Sequence, residues 1–222
     1  MGKISRVELQ RVNKVLRHMT GLNQWLNTKS VIEWFKSIKE KNSKHFIKYD
    51  IKEFYPSITE TLLINALNWA SQYTKISQDK IDIILHARKS FLFDNENPWI
   101  KRNRTVQFDV PMGSLDGAEI CEICGLYILD KITTIINLEN NGLYRDDGLI
   151  VMSGNGRQMD IMRKNLIAVY KENGLDITVE PHSKRTSYLD ITLDLENNTY
   201  EPFKKPNSNV IYIDKGSNHP LP

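Results

Sequence analysis

Two adjacent carboxylates, Asp146 and Asp147, lie in the run Leu143-Tyr144-Arg145-Asp146-Asp147-Gly148-Leu149-Ile150-Val151-Met152, between two short apolar stretches. Asp-Gly flanked by strand-forming residues is a strong hairpin signal, because glycine tolerates the positive φ that a two-residue turn requires. The run predicts a β-hairpin that turns at Asp147-Gly148 and holds both carboxylates at its tip. Like charges so close repel, and hairpins gain no stability by collecting them. A divalent cation would offset the repulsion. An Asp-Asp-Gly turn also serves as an ordinary solvated loop, so the chemistry rests on a third carboxylate. Asp50 supplies it, near the end of the alternating stretch Phe46-Ile47-Lys48-Tyr49-Asp50-Ile51.

If that strand lies beside the hairpin, three carboxylates converge at one edge of a sheet. Such a cluster suits two Mg²⁺ ions, with Mn²⁺ as the alternative, because these cations take carboxylate and phosphate oxygens and keep some water. Two metals about 3.5–4 Å apart stabilise the attacking and leaving oxygens of an in-line phosphoryl displacement.

The elements that must position these groups are legible in outline. Apolar residues at Val12, Val15, Leu16 and Met19 predict a first, basic helix that Gly21 breaks. A second helix is expected from Ser30, with Glu33 completing a capping box and Val31, Trp34, Phe35 and Ile38 on its apolar face. After Asp50, Pro56 predicts an extended Tyr55, and Ser57 with Glu60 predicts the cap of the next helix. Ser77 caps another. Residues 91–100 read as a hairpin and 106–108 as a strand, and Pro111-Met112-Gly113-Ser114 is a sharp turn into a long helix. A further helix carries Met159, Met162, Leu166 and Tyr170 and closes at Gly174, a left-handed cap. The remainder, including Val210-Ile211-Tyr212-Ile213, reads as β. This order predicts an α+β fold in which helices cover one face of an antiparallel sheet.

At 222 residues and 40% hydrophobic content the chain can bury a real core. A mean hydropathy of −0.44 and the lack of an 18-residue apolar run exclude a membrane-spanning helix, and the first residues lack a signal-peptide core. Cys121 and Cys124, three apart in a predicted helix, suit two core thiols in a reducing compartment better than a zinc site. The expected location is intracellular, in the nucleus. The formal charge of +3 is uneven: residues 1–50 hold eight Lys and three Arg against three Glu and one Asp, a net +7, which leaves −4 for the rest. A basic segment ahead of an acidic body suits a polyanion positioned by lysines, with Lys36, Lys39 and Lys41 foremost. A solvated basic helix pair has the same composition.

At these residues the sequence resembles a known family. Tyr49-Asp50-Ile51-Lys52-Glu53-Phe54-Tyr55-Pro56-Ser57-Ile58 is similar to motif A of reverse transcriptases, Pro111-Met112-Gly113-Ser114 to motif B, and Tyr144-Arg145-Asp146-Asp147 to motif C. Residues 175–184 resemble motif D, and Tyr188-Leu189-Asp190-Ile191 the hairpin that grips the primer. Glu201-Pro202-Phe203-Lys204-Lys205-Pro206-Asn207, with Ser217-Asn218-His219-Pro220, resembles Penelope-like retroelement enzymes in particular. The resemblance implies a right-hand polymerase palm (residues 46–187), partial helical fingers (1–45) and a primer-grip-like β region (188–222), with thumb and endonuclease missing. It implies an RNA-directed DNA polymerase that adds dNTPs to a DNA primer on an RNA template, without membrane association.

Carried over by position, Asp50, Asp146 and Asp147 are the expected metal ligands, with the Ile51 carbonyl as an extra oxygen. Tyr55 becomes a steric gate under the incoming sugar, and Gly113 and Met112 contact the nucleotide or template. Lys184, or else His182, is the expected general acid toward pyrophosphate, and Tyr188 and Leu189 contact the primer. Met112 departs from the Gln found in many relatives, which removes a polar contact. Two other readings compete: a catalytically inactive polymerase-derived fragment that only binds nucleic acid, and a palm-type nucleotidyl cyclase, which the Tyr55 gate and the Pro-Met-Gly turn disfavour.

Overall fold

The computed structural model describes residues 1–89, 92–94, 96–99 and 108–204. Its elements in chain order are α1 (Gly2–Thr20), α2 (Thr28–Ser37), β1 (Lys44–Ile51), α3 (Phe54–Ser57), α4 (Glu60–Ala70), α5 (Gln78–His86), β2 (Leu92–Asp94), β3 (Asn97–Trp99), α6 (Gly117–Ile132), β4 (Asn141–Tyr144), β5 (Asp147–Ser153), α7 (Gly156–Glu172), β6 (Ile177–Val179), β7 (Arg185–Tyr188), β8 (Ile191–Asp194) and β9 (Thr199–Pro202). The strand expected at Val210–Ile213 and most of the one at 106–108 lie outside the described residues, as do Lys205-Pro206-Asn207 and Ser217-Asn218-His219-Pro220. Among the described residues no helix is long and apolar enough to cross a membrane.

β1 lies inside an antiparallel sheet of order β4-β5-β1-β6. Strand alternation divides its side chains between two apolar clusters. Ile47, Tyr49 and Ile51 of β1 and Ile150 of β5 face a large core built with α1, α4, α6 and α7. Phe46 of β1 and Leu149 and Val151 of β5 face the other way. The helices expected on one face are present, but the second face is not bare. It carries α2, through Val31, Trp34 and Phe35, and a small sheet of order β7-β8-β9, through Tyr188, Ile191 and Leu193. Residues 23–25 cover the β4 edge, with the Trp25 amide donating to the Leu143 carbonyl at 2.8 Å.

α1 packs on the larger core through Leu9, Val12 and Leu16. Its basic groups are partly engaged there: Arg6 pairs with Glu119 and Arg17 with Glu122, each at 3.0 Å, both acids on α6. Cys121 and Cys124 are free and buried on α6, and burial pushes both thiols well above their ordinary range.

Several local expectations need correction. Tyr144 and Asp147 are register partners, so the two-residue loop of the β4–β5 hairpin is Arg145-Asp146, with Arg145 at φ 54°. Asp147 opens β5 instead of sitting in the turn. Gly148 is required for a different reason: a Cβ there would fall 1.9 Å from the ring of Tyr49, its partner on β1. Tyr55 is not extended but lies inside the single helical turn of α3. Pro56 fits there because first-turn amides have no helical acceptor to lose. The cap of α2 is Asn27, whose side chain accepts from the Ser30 amide at 3.0 Å, and that of α4 is Thr59, which accepts from Leu62 at 3.1 Å. In both places a competing Asn or Thr lies a few residues before the expected Ser or two after it. Gly174 is left-handed at φ 75°, and the amides of Gly174 and Leu175 reach back to the carbonyls of Lys171 and Tyr170.

Candidate active site

Asp50 and Asp147 are direct partners in the β1–β5 register. Directly opposed residues project from the same face of a sheet, here the face that carries Leu149 and Val151 two and four residues on. Asp146 sits beside them in the hairpin loop, where its carbonyl accepts the Ile51 amide at 2.9 Å and so docks the loop on the end of β1. The Asp50 carboxyl is held above the ordinary carboxylate range, first by partial burial and then by the Asp146 charge. Asp147 is raised by burial, then by Asp146 and Asp50. Lys48, two residues before Asp50 on the same strand face, lowers both, but its ammonium is shared with Glu180 at 3.0 Å. The sequence reasoning missed Lys48, although period-two alternation would have placed it.

The three carboxylates form an open set. Among the described residues no group of three or more His, Cys, Asp and Glu side chains is placed to hold a metal ion. The donors that the three residues offer are carboxylate oxygens, the kind that Mg²⁺ takes.

Tyr55 stands at the edge of this set. Its half-buried ring packs where a Cβ on Gly117 would come within 3.5 Å of it. Burial raises its hydroxyl pKa, followed by the Cys121 thiol beside it, while Arg145 opposes the rise and Asp146 adds to it. Pro111-Met112-Gly113-Ser114 forms a turn closed by the Ser114 amide on the Pro111 carbonyl at 3.1 Å, with Gly113 at φ 85° and Met112 79% exposed. Gly113 is needed for that φ, since a Cβ there would meet nothing within 4 Å. A buried Arg88–Asp116 ion pair holds the turn from behind, with Arg88 also donating to Ser114 Oγ at 3.1 Å and Ser5 to Asp116. Hydrophobic periodicity carries no signal for such a buried pair.

Lys184 and His182 do not reach the carboxylates. β6 pairs with β1 at Tyr49–Ile51 and the chain then runs antiparallel, away from Asp50. Lys184 Nζ donates to the carbonyls of Asn42 and, at 2.7 Å, Lys44. Lys44 is six residues from Asp50 on β1, about 20 Å at ~3.3 Å per residue. His182 packs on His45 at 5.4 Å between ring centroids, at the same distant end. Neither can protonate a leaving group held at Asp50. Tyr188 is 1% exposed and offers no ring face to a strand; its hydroxyl donates to the Asp147 carbonyl at 2.6 Å. Leu189, at φ 51°, lies in the two-residue loop between β7 and β8.

Lys36 and Lys39 are exposed on and just after α2, with Lys36 Nζ 5.3 Å from the Tyr200 ring centroid. Lys41 is engaged: its Nζ donates to the Ile38 carbonyl at 2.8 Å and lies 5.0 Å from the Phe35 ring centroid.

No protein-family model and no curated protein matches the sequence. Solved structures do match its fold. A C-terminally truncated apo telomerase from Candida tropicalis superposes with a TM-score of 0.65 at 17% identity, covering 90% of this chain and 45% of that one. The Candida tropicalis telomerase in complex with a TWJ fragment of telomeric RNA gives 0.63 at 16%, covering 95% and 39%. The RNA-dependent RNA polymerase of a human picobirnavirus gives 0.53 at 14%, covering 78% and 34%. The chain spans less than half the length of each. The fold is an α+β polymerase palm, an antiparallel sheet backed by helices.

Proposed function

We propose that this chain is the palm of an RNA-directed DNA polymerase of a retroelement, of the Penelope-like kind that its sequence resembles. It would add deoxynucleotides to a DNA primer on an RNA template. The observation that carries the reading is the direct pairing of Asp50 with Asp147, with Asp146 docked against the same strand end. Asp50, Asp146 and Asp147 would hold two Mg²⁺ or Mn²⁺ ions, with the Ile51 carbonyl as an extra oxygen. When bound, such ions polarise the primer hydroxyl and neutralise the triphosphate.

The remaining roles belong to the chain itself. Tyr55, beside Asp146, limits the room at the sugar of the incoming nucleotide. The Gly113 turn, fixed by Arg88 and Asp116, presents Met112 to the nucleotide or template. Lys36 and Lys39 supply positive charge for the phosphate backbone. The RNA-bound telomerase among the fold relatives supports a nucleic-acid partner.

A binding-only role is the second reading, favoured by the finding that no three acidic, His or Cys side chains among the described residues are placed to hold a metal ion. Primer extension with dNTPs on RNA and DNA templates separates the two. Mg²⁺-dependent addition that Asp147→Asn abolishes supports the polymerase. Salt-sensitive template binding with no extension in Mg²⁺ or Mn²⁺ overturns it.

A further inference from the structure

The hydroxyl of Tyr188 lies at the end of a deeply buried aromatic stack. Its ring packs edge-on against Trp25 at 5.4 Å, and Trp25 packs on Trp34 at 4.9 Å. Trp25 is itself fixed over Gly142, where a Cβ would fall 2.3 Å from its ring. A hydroxyl at the end of such a stack cannot swing to a new acceptor. It donates to the Asp147 main-chain carbonyl at 2.6 Å.

We propose that Tyr188 is a positioning residue for Asp147, holding the backbone of β5 at the residue whose carboxylate faces Asp50. The inference rests on the reading of Asp147 as a metal ligand. A group that orients a ligand from behind typically changes metal affinity about 10–100-fold when removed. Tyr188 acts through a carbonyl, not the carboxylate, so the effect sits at the low end of that range. The same bond ties the β7–β8 loop at Leu189-Asp190 to the Asp147 backbone, so loop placement and metal affinity are coupled.

The test measures Mn²⁺ affinity by calorimetry on the nucleic-acid-free chain, with the melting temperature and amide exchange of residues 147–149 alongside. Parent, Tyr188→Phe, Asp147→Asn and Leu193→Ala are compared. Leu193→Ala loosens the same apolar cluster but keeps the hydroxyl. Tyr188→Phe is expected to weaken Mn²⁺ about tenfold and speed exchange at 147–149. Leu193→Ala is expected to lower the melting temperature and leave affinity unchanged. Equal Mn²⁺ affinity in Tyr188→Phe and parent overturns the proposal, as does an equal affinity loss in Leu193→Ala, or failure of Tyr188→Phe to fold. If the parent takes up no Mn²⁺, or Asp147→Asn binds it as well as the parent does, the metal-ligand reading itself falls.

Discussion

Asp50 and Asp147 stand opposite each other across β1 and β5, two carboxylates in register. Lys48, the nearest counter-charge on that face, is shared with Glu180. The pair therefore costs stability whenever both groups are ionised, and it is retained at the site where a cation is proposed.

The first prediction follows from that cost. Both pKa values are raised, by burial and by neighbouring carboxylates. The neutral forms are thus favoured in the folded state. Their contribution is complete below the unfolded value of about 4 and is lost as pH rises through the elevated folded values. In EDTA, Asp147→Asn should melt about 2–4 °C above the parent at pH 7 if the relieved repulsion is about 1 kcal/mol. The gain should vanish near pH 3. Millimolar Mg²⁺ should raise the melting temperature of the parent and leave that of the variant unchanged.

Sugar selection should depend on the Tyr55 ring. Tyr55→Ala should accept ribonucleotides with little loss of deoxynucleotide addition, whereas Tyr55→Phe keeps the ring and its selectivity. Single-nucleotide incorporation kinetics read both. Parental discrimination by Tyr55→Ala would assign the ring to the core and place the gate elsewhere.

The lysines of the α2 region should divide into two kinds. Neutralising Lys36 and Lys39 should weaken primer–template binding for all sequences alike and flatten the log-affinity against log-salt slope by about one unit per lost phosphate contact. Lys41→Ala should instead lower the melting temperature, because its ammonium closes the end of α2 on the Ile38 carbonyl.

Lys184→Met should leave the pH dependence of extension untouched, since its ammonium ties residues 42 and 44 and lies at the far end of β1. Its cost should appear in stability, about 1 kcal/mol for the lost carbonyl contacts. A lost basic limb in the pH–rate profile would return Lys184 to the active site.

Gly148→Ala should destabilise by about 3 kcal/mol or more, because its Cβ would overlap the Tyr49 ring. Tyr49→Leu in the same chain should recover part of the loss, and denaturant melts of the double-mutant cycle measure the coupling.

The pairing of Asp50 with Asp147 was legible because two patterns agreed. Alternation in residues 46–51 fixed the face of Asp50, and the apolar runs around Tyr144–Gly148 required a hairpin. The turn itself lies two residues earlier than the Asp147-Gly148 dipeptide suggests. Asp-Gly signals positive φ, but here the glycine answers a ring from another strand, which local sequence does not reveal. Lys184 and His182 failed for a similar reason. Their distance from Asp50 depends on how far β6 follows β1 before the chain departs, and that is settled by tertiary pairing. The second face of the sheet was hidden because α2 and β7–β9 bury it from opposite ends of the chain.

The two ring-over-glycine contacts, Trp25 on Gly142 and Tyr49 on Gly148, flank the hairpin that bears the carboxylates. Each imposes an order on sequence change. A glycine that acquires a side chain first drives it into an indole or phenol and loses the hairpin. A ring that shrinks first leaves a void, which a later side chain on the glycine can fill. Lineages descending from this chain can therefore exchange these pairs in one direction only, ring before glycine. A descendant in which Gly148 has changed while Tyr49 has not would have to hold this hairpin in some other way.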